Sequence, residues 1–294
     1  MKKILILLLL SIVAIPAPAQ TWTHYNPAAR VPWLKASIYS RDAYDWWVQN
    51  EQVPLRLFLN GVYQPGSDEA GGYDLDLPAA WTYSTGQGVK IGVVDLATAH
   101  GYRIVDLAQK TAPGATVTLY PVSRYYSDVV AAAMAQAVDD GCRVVVLATG
   151  WATPPTEVFE VIDDSRRVVF CCAVVDSPGN YDVTPDYPSS WGFEHVLPTA
   201  CVDMAGNWYW SNTGTGCLAA PGRVIPAYGT YSDGTSYAVG ISAGAIALRV
   251  AQRPLQSGKF HVQRALQTAS NQRIRPAAMV MRRRATNGFV RRQW

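Results

Sequence analysis

Three side chains stand out by type and place: Asp95, His100 and Ser236. Asp95 follows the apolar run Ile91-Gly92-Val93-Val94, and a carboxylate there is costly in a dry core unless a partner meets it. At a strand end it can face a cleft and orient an imidazole; its plainer role is a turn or helix-capping aspartate. The chain has four histidines. His24 lies in an N-terminal extension, His195 enters a strand and His261 sits in a late helix. His100 alone stands just before a probable helix and close after an acid. A general base must touch the carboxylate that orients it, and the short separation allows that if the chain turns back. Ser236 opens an Ala/Gly-rich helix that runs Tyr237-Ala238-Val239-Gly240-Ile241-Ser242-Ala243-Gly244. The free N–H groups of a first helical turn favour developing negative charge, although serine is also a common cap there. A hydroxyl, an imidazole and a carboxylate brought together make nucleophilic acyl transfer the chemistry to expect.

Short apolar runs bounded by turn signals supply the elements that must position these groups. The pattern predicts strands at Val89 to Val94, Val117 to Val122, Arg143 to Leu147, Val168 to Val175 and His195 to Val202. Helices are expected at Gly101 to Gln109, Asp128 to Asp140, Glu157 to Asp164, Ser236 to Arg253 and Val262 to Ala269. Strands alternating with helices imply a mainly parallel sheet covered on both faces. Ligands on such sheets bind beyond the carboxyl ends of the strands. Asp95, Thr149-Gly150 and Asp176 fall at those ends. Gly86, Gly88 and Gly92 hint at a dinucleotide site, but they precede and enter a strand instead of leaving one for a helix. The small residues after Ser236 are expected to let its helix pack closely on the sheet.

Of the 294 residues, 49% are hydrophobic and 16% charged, which suits a compact enzyme and not a disordered chain. Lys2 and Lys3, the apolar run Ile4 to Ile15 and Ala17-Pro18-Ala19 read as a secretory signal over residues 1–19. Its removal takes the net charge from +3 to +1, so nucleic acid is not an implied partner. Residues 20–74, rich in Trp, Tyr and Pro, read as an extension or short pro-segment. The aromatic stretch around Trp46-Trp47 is expected to pack on the main domain, residues 75–272. Arginines crowd residues 273–294, which read as a solvated basic tail, with contact to a membrane or acidic polymer as the second reading. Of the five cysteines, Cys171 and Cys172 are adjacent on a strand and point to opposite faces. Cys201 with Cys217 is the one disulfide to consider. No cysteine pair has zinc spacing, so no metal site is expected.

In order along the chain, these segments resemble the subtilisin-like (S8) serine peptidases. Thr85-Gly86-Gln87-Gly88-Val89-Lys90-Ile91-Gly92-Val93-Val94-Asp95 is similar to that family's lead-in to its catalytic Asp. His100-Gly101 with Ala112-Pro113-Gly114-Ala115, then Tyr187-Pro188, Ala219-Ala220-Pro221-Gly222, Gly234-Thr235-Ser236 and Val262 to Ala269 resemble later landmarks. The resemblance covers residues 75–270. It departs in the four residues between Asp95 and His100, where the family has a far longer loop, and in the residues after His100 and Ser236.

The resemblance implies a three-layer α/β fold with a mainly parallel central sheet flanked by helices. It also implies a secreted serine endopeptidase with the triad Asp95, His100 and Ser236, periplasmic or extracellular, acting on peptide or protein without a cofactor. Ala148, Thr149 and Gly150 match the segment that pairs with substrate backbone. The family's oxyanion asparagine has no evident counterpart; Asp176 and Asn180 are the candidates. The altered oxyanion position favours a second reading, an inactive subtilisin-like domain that binds peptide or a surface partner.

Overall fold

The computed structural model describes residues 75, 77–202, 208–222, 225–227, 230–269 and 274–280. The signal at 1–19, the extension with Trp46-Trp47, and the tail beyond residue 280 lie outside the described residues. A short helix α1 (Leu77–Trp81) leads into β1 (Lys90–Leu96), α2 (Ala99–Thr111), β2 (Thr116–Val122), α3 (Ser127–Asp139), β3 (Val144–Leu147), α4 (Thr156–Asp164) and β4 (Val169–Ala173). There follow β5 (Gly179–Asn180), β6 (Val196–Val202), β7 (Asn212–Thr213), β8 (Leu218–Pro221), β9 (Ile225–Ala227), β10 (Thr230–Ser232), α5 (Thr235–Gln252), α6 (Gly258–Thr268) and α7 (Pro276–Val280).

The central sheet has six strands in the order β2-β1-β3-β4-β6-β8, every pair parallel. Its strands are apolar on both faces because helices cover both. Ile91, Val93, Val144, Val146, Val169 and Cys171 face a core shared with α2 and α5. Val94, Val145, Leu147, Phe170 and Cys172 face a core shared with α3 and α4. Cys171 and Cys172 therefore do look to opposite faces. The strand order reverses between β1 and β3, which opens a crevice at their carboxyl ends. The expected fold class, three layers around a mainly parallel sheet, is the one observed.

Element ends differ from the sequence reading in ways that matter for the site. β1 runs through Asp95 to Leu96 and α2 starts at Ala99, so His100 lies in the first helical turn and not before it. β4 ends at Ala173, short of the expected Val175. The Val175 N–H has left the ladder for the Asp186 carboxylate, at 3.0 Å. The sixth strand, Leu218–Pro221, was not expected; four residues ending in proline carry little strand propensity. The core also passes Arg273, where the tail was placed: Ile274, Met279 and Val280 are buried in it. All five cysteines are free thiols, so the Cys201–Cys217 bond is not formed.

The small residues of α5 serve two contacts: the helix packs on the sheet, as expected, and two of its glycines meet α2. Gly240 and Gly244 face α2 and not the sheet. A Cβ at Gly240 would stand 2.9 Å from the Ile104 carbonyl oxygen, and one at Gly244 would stand 2.5 Å from the Thr111 Cβ. The helices that carry His100 and Ser236 thus approach to backbone contact. Gly244→Ala should gain helix propensity of about 1 kcal/mol yet lose more, with a net destabilisation of roughly 1–2 kcal/mol from overpacking. Urea unfolding of the purified protein measures this, and an unchanged or raised midpoint would contradict the close contact.

Candidate functional site

Asp95 is fully buried, and its carboxylate is met by donors on both oxygens. Oδ1 accepts from the Leu96 N–H at 2.6 Å and from the Tyr125 hydroxyl at 2.7 Å. His100 Nδ1 lies 3.2 Å from Oδ1 and 3.1 Å from Oδ2. A carboxylate met by these groups holds the ring by its Nδ1 edge, and an Nδ1–H donating to it leaves Nε2 as the free ring nitrogen.

The short link between Asp95 and His100 is possible because of Gly101. A Cβ there would stand 2.4 Å from the Leu96 carbonyl oxygen and 3.2 Å from the Asp95 Cβ. Without a side chain, α2 begins almost on top of the end of β1, and one turn brings the imidazole back over the carboxylate. The His100 side chain keeps 34% of its surface exposed. The other described histidines are core residues. His195 is buried and its Nε2–H donates to the Ile162 carbonyl at 2.8 Å. His261 is buried, and burial beside Arg143 and Arg249 pushes its pKa down to about 4.

Ser236 is the second residue of α5 and is buried at its amino end. Among the described residues no hydrogen bond joins it to His100. The adjacent Tyr237 places its ring centroid 5.6 Å from that of His100 and accepts from Arg103 at 3.3 Å. The turn before Ser236 is set by Gly234, whose φ of +152° suits glycine. Asp176 holds this turn: its Oδ1 accepts the Thr235 N–H at 2.7 Å. A Cβ at Gly234 would stand 3.0 Å from Asp176 Oδ2. Of the two oxyanion candidates, Asp176 is therefore beside Ser236, as an acceptor on the helix terminus.

Asn180 is engaged elsewhere. Its Oδ1 accepts the Asp182 N–H at 2.8 Å, and with Asp182, Trp208, Ser211 and Thr215 it lines an open polar pocket of about 580 Å³. Ala148, Thr149 and Gly150 continue β3 past Leu147, and Gly150 is exposed. Trp151 pairs antiparallel with Tyr187, and its indole N–H donates to the Tyr125 carbonyl at 3.3 Å. That segment is thereby tied to the loop that supplies Tyr125 to Asp95.

Two residues of this region were not singled out by sequence reasoning. Burial and the bond to Asp95 push the Tyr125 hydroxyl well above the usual phenol range, so it serves as a permanent donor. Asp186 is only 3% exposed, and burial pushes its pKa up to about 6. Both roles come from contacts distant in sequence, which no local pattern announces. Among the described residues no group of three or more His, Cys, Asp or Glu could hold a metal ion, and no helix is long and apolar enough to cross a membrane.

No protein-family model matches the chain, and no curated protein matches it. Solved structures do. The chain is similar to the prenylagaramide maturation protease PagA, with a TM-score of 0.60 and 17% identity over 69% of this chain and 96% of that one. It is similar to the nisin leader peptidase NisP from Lactococcus lactis, with a TM-score of 0.60 and 16% identity over 69% of this chain and 89% of that one. A lanthipeptide protease matches with a TM-score of 0.61 and 17% identity over 77% of this chain and 95% of its own. The architecture is that of subtilisin-like proteases.

Asp186 carries a pH signature. Its pKa is about 6 in the folded chain against an ordinary 3.8, so the native state holds the proton more tightly than the unfolded chain. Stability is full below the ordinary value, falls across this window and stays reduced above it. The neighbouring Cys172 thiol and Tyr181 phenol are both raised and stay neutral throughout. Asp186→Asn keeps an acceptor for Val175 and removes the charge. It should be more stable than the parent by about 2 kcal/mol at pH 8 and equal to it near pH 3.5. Denaturant midpoints at the two pH values measure this; a gain of the same size at both would show that charge is not the cause.

Proposed function

We propose that the chain is a secreted serine endopeptidase acting through Asp95, His100 and Ser236. The observation that carries this reading is the contact of His100 Nδ1 with both oxygens of a fully buried Asp95, at 3.1 and 3.2 Å, on the helix that packs against the one bearing Ser236. His100 Nε2 takes the Ser236 proton as the oxygen attacks a peptide carbonyl, and later gives it to the leaving amine. Asp95 holds the ring and stabilises its charged form. Hydrogen bonds of this kind commonly tighten when substrate closes the site. The backbone N–H of Ser236, at the positive end of α5, faces the developing oxyanion. Ala148, Thr149 and Gly150 at the open edge beyond β3 suit an extended peptide added as a strand. The signal at the amino terminus supports export to a periplasmic or extracellular space.

The direct test is labelling of the purified protein by a fluorophosphonate probe. Ser236→Ala should abolish labelling, and His100→Ala should lower its rate by about a thousandfold or more. Failure of the parent chain to label would leave a binding domain as the better reading.

Asp176 sets a second expectation. An ionised carboxylate beside the Ser236 turn opposes negative charge on the substrate oxygen, whereas an amide keeps the acceptor for the Thr235 N–H and adds a donor. A well-placed oxyanion donor contributes about 3 kcal/mol. Asp176→Asn should raise kcat on a peptide ester by roughly tenfold or more, and Asn180→Ala should show no comparable gain. A loss of kcat in Asp176→Asn would show that the negative charge itself supports the turn.

A further inference from the structure

Asp186 is a buried acid whose environment is incomplete. Its Oδ2 accepts one hydrogen bond, from the Val175 N–H at 3.0 Å. Its Oδ1 lies against Gly150, where a Cβ would stand 2.6 Å away. Among the described residues no cationic side chain forms an ion pair with it. The groups around it are the Cys172 thiol and the Tyr181 phenol, both held neutral by burial. A carboxylate taken out of water calls for a counter-charge, and this one has none in the chain around it.

Its position says where a counter-charge would come from. The two antiparallel hydrogen bonds between Trp151 and Tyr187, at 3.0 and 2.9 Å, pin the residue just before Tyr187 under the end of the β3 extension. The carboxylate spans from Gly150 on that extension to Val175 beyond β4. Gly150 and Val175 are both exposed above it. Asp176, next in the chain, holds the Thr235 N–H beside Ser236. The acid thus lies between two neighbouring strand ends, in contact with Gly150 on one side and Val175 on the other, one residue from the contact that sets the nucleophile turn. A peptide lying along residues 148–150 with its carbonyl at Ser236 would send the side chain of the residue bearing that carbonyl down between Gly150 and Val175. A long stem with a cationic head suits that path, its methylenes against the strand ends and its charge on Oδ1.

We propose that Asp186 is the specificity-determining residue of this site and selects peptides with arginine or lysine on the acyl side of the bond attacked. The proposal rests on the peptidase reading above and adds to it a substrate class. The missing side chain at Gly150 follows from the same geometry, because any Cβ there would sit on the carboxylate.

The test uses the full chain, the Asp186→Asn variant and a fluorogenic peptide series with Arg, Lys, Leu or Glu at the residue before the reporter. The parent should prefer Arg or Lys over Leu by roughly a hundredfold in kcat/KM, and Asp186→Asn should erase most of that ratio, as a site built around a polar partner discriminates strongly. The amide keeps an acceptor for the Val175 N–H, so a purely structural role would leave the ratio unmoved. Equal cleavage of Leu and Arg peptides, or a ratio unchanged in Asp186→Asn, overturns the proposal while leaving the peptidase reading intact. The Ser236→Ala protein provides an arm that needs no catalysis: it should bind a tripeptide ending in arginine more tightly than one ending in leucine, and Asp186→Asn on that background should remove the difference. If no peptide is cleaved yet this binding preference holds, the recognition stands and the hydrolytic reading fails; if the preference is absent there, the recognition fails.

Discussion

The site depends on one anion, Asp95, held without exposure to water. A carboxylate in that position is tolerated when its lone pairs are met, and three donors from three kinds of source meet it: a backbone N–H one residue on, an imidazole five residues on and a phenol thirty residues on. Each donor is delivered by a different constraint. The end of β1 supplies the first, the start of α2 the second and the loop between β2 and α3 the third. Because the anion cannot move without stranding one of them, the imidazole inherits its fixity. That rigidity is what a base needs if it is to act on a hydroxyl carried by another helix.

Bringing that hydroxyl near is a packing problem, solved by leaving atoms out. Gly101 lets α2 begin against β1, and Gly240 and Gly244 let α5 lie against α2 at backbone distance. The imidazole and serine helices are therefore spaced by backbone contact and not by adjustable side chains. Tyr237, one residue past the serine, fills the space beside the imidazole and is tied to Arg103 of the facing helix. Larger residues on this seam would separate the two halves of the site before they disturbed either half alone.

Much of this was readable in the sequence, and the parts that were not share a reason. The strands were legible because a sheet covered on both faces writes its burial as continuous apolar runs such as Val144 to Leu147. Asp95, His100 and Ser236 stand out as candidates because each sits where such a run ends or a helix opens. Tyr125 and Asp186 were not, since a tyrosine in a polar loop and an aspartate in Thr184-Pro185-Asp186-Tyr187 look like ordinary surface residues until the fold sets them beside Asp95 and Val175. The end of β4 was misplaced for the same cause: Val174 and Val175 read as strand, but a side chain eleven positions later takes the Val175 N–H from the ladder. The small residues on α5 are legible as close packing on the sheet, but the second neighbour, α2 at Gly240 and Gly244, is not, because periodicity shows that a face is narrow without showing everything it meets.

Three acids gather around the carboxyl ends of β1, β3 and β4, and their environments set them apart. Asp95 is buried with both oxygens in contact with donors, and it serves geometry. Asp176 is exposed and accepts from a helix terminus, and it steadies a turn. Asp186 is buried with one donor, and its raised pKa marks a charge kept at a cost to stability. Folding alone would replace that third acid with a neutral residue of the same shape, because an amide would serve Val175 equally well. A group that weakens the empty protein yet sits between two exposed strand ends is what a binding requirement leaves behind, with the energy missing from the fold recovered when a ligand supplies the opposite charge.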